Sequence, residues 1–144
     1  MSPRLEVVER KLLALAGYLE ELRPKARLGL AAYLKSGTTR RAVERLLQLC
    51  VEAAADACAG LLSGAGRGGA PSTRATFAAA ATIGAVEQTL ARRLGDAAGL
   101  RNRLVHDYDH LDDALVWAAA RSALRDFPEF IAGVTTFLDR NPEN

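Results

Sequence analysis

RRAVERLLQLCVEAAADACAGLL, residues 40–62, is the longest helix candidate in the chain. Val43, Leu46, Leu47, Cys50, Ala54, Ala57, Cys58 and Leu61 recur at spacings of three and four, the period of an α-helix with one apolar side. Glu44, Gln48, Glu52 and Asp56 step by four along another side. With so much alanine and leucine around it, this stripe is narrow, which places the helix at the centre of a domain. The stripe itself is either a solvated edge or a polar seam facing a second helix or a site.

Helical spacing extends outward in both directions. Ser2 and Pro3 make a helix start, serine as N-cap and proline at the first helical position. Leu5, Val8, Leu12, Leu15, Leu19 and Leu22 then mark one face. Pro24 is expected to interrupt that helix or to open a short one through Lys35, and residues 36–39 supply the next break and cap. Beyond the central helix, a segment from Ser72 or Thr73 to Ile83 is anchored by Phe77 and broken by Gly84. A helix from Val86 to Ala98 is expected to end at Gly99. Another is capped within residues 109–112 and runs to about Arg125, and Pro128 is expected to begin the last.

Strand signals are nearly absent: there is no sustained alternation and no Asn-Gly or Asp-Gly hairpin turn. The expectation is an all-α bundle of five to seven helices without a β-sheet, one domain over residues 1–144, with a flexible interhelical loop at 63–71. That loop contains GAGRGG, residues 64–69, a letter-for-letter G-x-G-x-x-G. The pattern binds dinucleotides when a strand delivers it onto a helix N-terminus; here a helix precedes it, so the match is read as accidental.

The net charge of +2 is too mild to announce a nucleic-acid binder, although the basic side chains are nearly all arginine. Cys50 and Cys58 cannot meet along one helix and read as core residues of a reduced protein. No signal peptide and no uninterrupted apolar stretch of membrane-spanning length is read, so a cytoplasmic protein is expected.

One segment stands apart. RNRLVHDY, residues 101–108, holds one of only two histidines in the chain. On a helical wheel Arg101 and Tyr108 fall within about 20° of each other, whereas Arg101 and His106 lie about 140° apart. Either the helix breaks between Arg101 and His106, or a second copy completes a site. Histidine exchanges protons near neutrality, and an arginine fork stabilises charge building on a phosphoryl group. Together they suffice for metal-independent RNA cleavage, the 2′-hydroxyl being the nucleophile. Asn102 would orient the histidine or donate to phosphate. The plain alternative is a helix end, with Arg101 ion-paired and His106 packed. A metal reading uses His106 and His110 at i, i+4 among neighbouring aspartates, but it lacks a third ligand at a characteristic spacing.

R-x-x-x-x-H-x-Y, with asparagine directly after the arginine, resembles the signature of HEPN domains, and the added tyrosine is typical of the HepT branch. AVERLLQLCVEAAADA (42–57) resembles that family's long central helix. PSTRATF (71–77) and the segments LDDALVW and DFPEFI within 111–131 fall where its later helices lie. The resemblance implies a helical homodimer with two motifs facing across a cleft, acting as the toxin of a type VII-like toxin–antitoxin pair. It implies a metal-independent endoribonuclease that uses Arg101 and His106 and needs no cofactor. It also implies an MntA-like nucleotidyltransferase antitoxin that transfers AMP onto Tyr108. Gln48, Glu52 and Asp56 match the family's polar row and are expected at the cleft or dimer seam. The rival expectation is a non-catalytic nucleotide- or protein-binding module that keeps the motif as a recognition surface for its nucleotidyltransferase.

Overall fold

A computed structural model describes residues 2–142. Six α-helices follow one another: α1 (Pro3–Ala26), α2 (Leu30–Lys35), α3 (Gly37–Gly64), α4 (Thr73–Thr82), α5 (Gln88–His106) and α6 (Asp113–Arg140). A single 3₁₀ turn, Tyr108–His110, joins the last two, and no strand occurs among the described residues. The all-α expectation holds.

Local chemistry starts four of these helices. The Ser2, Ser36 and Ser72 hydroxyls accept from the backbone N–H of Leu5, Thr39 and Ala75, and the Asp112 carboxylate accepts from Ala114 and Leu115. Each such cap is worth about 1 kcal/mol. Two helices stop on glycines in the left-handed region, Gly66 at φ 73° after α3 and Gly84 at φ 84° after α4. At each stop two N–H groups turn back onto the last carbonyls: Arg67 to Leu62 and Gly66 to Ser63, then Ala85 to Ala80 and Gly84 to Ala81. The second glycine of the G-x-G-x-x-G pattern is thus a helix stop.

Three expected breaks are absent. α1 runs through Pro24, α5 runs through Gly99, and α6 runs through Pro128. Each residue weakens a helix locally, glycine by about 1 kcal/mol and proline by about 3, and tertiary packing outweighs them. Phe127 and Phe130 on either side of Pro128 are buried, and Phe130 meets Phe77 of α4 edge to face at 6.5 Å. Gly95 and Gly99 clear a path for Arg74 of α4: a Cβ at Gly95 would lie 2.9 Å from Arg74 Nη1. Arg74 crosses that gap to reach Asp96 at 3.2 Å.

α3 is central, packed by α1, α4, α5 and α6. Its Val43, Cys50, Ala54, Ala57 and Cys58 are fully buried, against Leu15 and Leu22 of α1, Leu94 of α5 and Val116 of α6. Burying each large side chain contributes roughly 1.5–3 kcal/mol. α3 is long and apolar enough to cross a membrane by length and composition alone, although Glu52 and Asp56 interrupt its apolar run; 56% of its most apolar window is buried within the bundle. At the far side Trp117 of α6 donates to the Leu28 carbonyl at 2.8 Å, and the Arg121 guanidinium lies 5.0 Å from its ring.

Candidate functional site

Because α5 is continuous to His106, the possibility of a break between Arg101 and His106 falls away. The two side chains leave one straight helix in directions about 140° apart. Arg101 turns inward: Nη2 donates to Glu52 Oε1 of α3 at 2.8 Å, and Nη1 donates to Asn102 Oδ1 at 3.4 Å. Its Nε is buried without a partner. His106 is the last residue of the helix and is exposed, as is Asn102. The plain alternative is thus met for the ion-paired Arg101 and not for a packed His106.

Tyr108 does not follow the helical wheel. Asp107 caps α5 with φ −138° and ψ 42°, and Tyr108 opens the 3₁₀ turn, so its alignment with Arg101 along one face is lost. The same turn dissolves the His106–His110 face on which the metal reading stood. His110 Nδ1 instead lies 2.7 Å from Asp107 Oδ1, and among the described residues no three His, Cys, Asp or Glu gather as ligands.

Tyr108 is half exposed, at 50%. The Glu44 carboxylate of α3, as hydrogen-bond acceptor and then as negative charge, holds the phenol above its ordinary pKa. Glu44 is only 7% exposed, and its pKa is raised, first by burial; the Tyr108 hydrogen bond opposes the shift. Tyr33 of α2 is buried beside it with a hydroxyl that finds no partner, and desolvation followed by the Glu44 charge pushes it up to about 12. Arg40 is engaged by Asp113 at 3.7 Å and by the Leu34 carbonyl. Arg41 is exposed and makes no ion pair among the described residues, and its charge acts on both Tyr108 and Glu44.

The polar row of α3 therefore has several destinations. Glu44 is buried, Gln48 accepts from Arg45 at 3.4 Å, and Glu52 holds Arg101. Asp56 reaches away from the motif to Lys11 of α1 at 3.1 Å. Glu44, Tyr33 and Arg41 are absent from the site read in the sequence. The signal for Glu44 was present, since it is the first member of the four-residue step, one turn before Gln48. Arg101 also lines a cleft of about 520 Å³ between α3, α5 and α6, together with Leu47, Val51, Leu94, Arg103 and Phe127.

An all-α bundle that ends its fifth helix on R-x-x-x-x-H and places a tyrosine just beyond it has the architecture of a HEPN domain. The chain belongs to the ribonuclease HepT-like family, whose profile matches residues 15–134. It is 31% identical over 132 residues to the tRNA nuclease HepT of Aphanizomenon flos-aquae, covering 92% of this chain and 90% of that protein. A toxin–antitoxin structure with AMP-PNP shares the fold at a TM-score of 0.83 and 24% identity, covering 91% of this chain and 98% of the other. So does the tri-AMPylated HEPN toxin of Shewanella oneidensis in complex with its MNT antitoxin, with TM-score 0.83, 24% identity, and coverage of 94% and 99%.

Proposed function

We propose that this chain is the RNA-cleaving toxin of a cytoplasmic toxin–antitoxin pair, with Arg101 and His106 catalytic and Tyr108 the acceptor of an inactivating AMP. The observation that carries the reading is the Arg101 fork, fixed by Glu52 at 2.8 Å on the helix that ends in an exposed His106. The 2′-hydroxyl of the RNA attacks the adjacent phosphorus, the bond from that phosphorus to the 5′-oxygen of the next nucleotide breaks, and a 2′,3′-cyclic phosphate and a 5′-hydroxyl end are left; His106 takes the proton of the attacking oxygen or returns one to the leaving oxygen, while Arg101 stabilises charge on the phosphate oxygens. Asn102 keeps the second arm of the Arg101 fork in place. No metal or cofactor enters this chemistry. Since Arg101 and His106 diverge on one helix, a homodimer brings the arginine of one copy to the histidine of the other, with Gln48 and Glu52 near the seam. The 31% identical relative is a tRNA nuclease, which makes tRNA the first substrate to try.

The partner is an MntA-like nucleotidyltransferase. The AMPylated toxin and its MNT antitoxin, and the AMP-PNP complex, support this pairing. AMP on Tyr108 adds negative charge and bulk beside the motif and repels an RNA phosphate. The test is tRNA cleavage by unmodified protein in EDTA, with His106→Ala at unchanged helicity as control. Cleavage in EDTA that disappears in the variant supports the assignment. Intact tRNA with the wild-type dimer would reject it and favour a non-catalytic module that recognises its nucleotidyltransferase.

A further inference from the structure

We propose that Arg41 and Arg45 form a phosphate track along the open face of α3, leading the RNA backbone to the phosphate held by Arg101. The track rests on the reading of Arg101 as the residue at the scissile phosphate. Residues 41, 45, 48 and 52 are spaced by four, three and four, which keeps them on one face of the helix. Contacts join the side chains along that face. Arg45 Nη1 donates to Gln48 Oε1 at 3.4 Å, and Glu52 Oε1 accepts from Arg101 Nη2 at 2.8 Å. The helix rises about 10 Å from Glu52 to Arg45 and about 6 Å more to Arg41. Both arginines are exposed, and neither makes an ion pair among the described residues.

Charge at this end of α3 is one-sided. Residues 35–48 hold four cations, Lys35, Arg40, Arg41 and Arg45, against a single acid, Glu44, which is 7% exposed. Arg40 is already engaged by Asp113 at 3.7 Å and by the Leu34 carbonyl. The Arg41 guanidinium folds back over the first turn of α3, with Nη2 and Nη1 3.2 and 3.3 Å from the Cβ position of Gly37. Arg40 Nη2 lies 3.6 Å from the same point. Two like charges this close repel, and an anion beside them relieves the repulsion. Successive phosphates of one RNA strand are such anions, each matched to a guanidinium fork. An RNA strand fits better than the acidic surface of a protein, because the forks lie in line with Arg101 on the face that holds it. Contacts of this kind position the strand without reading its sequence.

The experiment measures binding of fluorescently labelled tRNA to the full, unmodified chain by anisotropy, from about 50 to about 300 mM salt. The chain carries His106→Ala so that the RNA stays intact. Arg41→Gln/Arg45→Gln is compared with Arg10→Gln, which removes an exposed arginine of α1, and thermal melts confirm the fold. Losing two phosphate contacts should weaken binding roughly 10- to 100-fold at the lowest salt. The slope of log affinity against log salt should fall by about 1.4–1.8, and Arg10→Gln should leave it unchanged. With His106 intact, the double variant should raise KM for tRNA cleavage and keep kcat within about twofold of wild type. An unchanged slope, or an equal loss in Arg10→Gln, overturns the track. Unchanged tRNA binding with lost binding of the nucleotidyltransferase also overturns it and assigns the face to that protein. Intact tRNA with wild type, beside a slope that still falls in the double variant, overturns the cleavage reading and leaves the RNA track standing.

Discussion

Arg101 Nη2 and Glu52 Oε1 lie 2.8 Å apart and join α5 to α3 through the first residue of the motif. Both side chains are partly exposed, at 28% and 39%, so the pair adds at most about 1 kcal/mol to stability. Its effect is directional: it fixes where the fork points while Nε stays buried and unbonded.

Glu52→Gln should therefore leave the melting temperature nearly unchanged while lowering RNA cleavage by roughly tenfold, as a misaimed fork forfeits transition-state contacts. Single-turnover cleavage beside a thermal melt checks both halves. A fall in stability without a fall in rate would make the pair a structural strut.

Glycines of α1 and α3 should respond in opposite senses. A Cβ at Gly60 would lie 2.7 Å from Val8 Cγ2 in the α1–α3 contact, so Gly60→Ala should cost about 1–3 kcal/mol. Nothing lies within 4 Å of the Cβ position at exposed Gly17, so Gly17→Ala should add about 0.5–1 kcal/mol. Urea unfolding of the two variants measures the difference.

Cys50 and Cys58 are buried, and burial pushes both thiols up to about 12. Iodoacetamide at pH 8 should leave the native chain unlabelled and add two groups once urea unfolds it. Labelling of the native state at the unfolded rate would show that α3 opens readily.

Glu44 also predicts a pH trend in stability. Its carboxyl is raised above the ordinary value in the folded chain, chiefly by burial. The folded state thus holds this proton more tightly than the unfolded one. The stability it confers is complete below the unfolded pKa and declines as pH rises through the folded one. Glu44→Gln, which carries no proton to lose, should gain stability relative to wild type as pH rises across that interval and run parallel below it. Urea midpoints from about pH 4 to pH 8 test this; a gap between the two that does not change with pH would contradict it.

Much of the bundle was legible in the sequence because its signals are local. The apolar spacing of α3, the Ser2 cap, the Ser36 break and the Gly84 stop each depend on residues within one or two turns. Pro24, Gly99 and Pro128 misled because their effect is decided by partners distant in the chain, such as Phe77 against Phe130 and Arg74 against Gly95. Tyr108 was misplaced for the converse reason: a single residue, Asp107, turns the chain off the helix, and a wheel assumes that no residue does. Glu52 was found through its row, but its partner was not, since periodicity gives a face and not what lies opposite. Glu44 shows the same limit, because its burial, at 7% exposed, is set by the neighbours of α3 and not by its spacing.

Trp117, the sole tryptophan, ties the α1–α2 connection to the first turns of α6, one turn beyond Asp113. The chain therefore carries its own fluorophore where the α1–α2 connection meets α6. Loosening of α2, or displacement of Asp113 when Tyr108 acquires a charged group, would change the polarity around one indole and be read as a shift in emission. Occupancy of the switch could then be followed in real time, in unlabelled protein, by ultraviolet light alone.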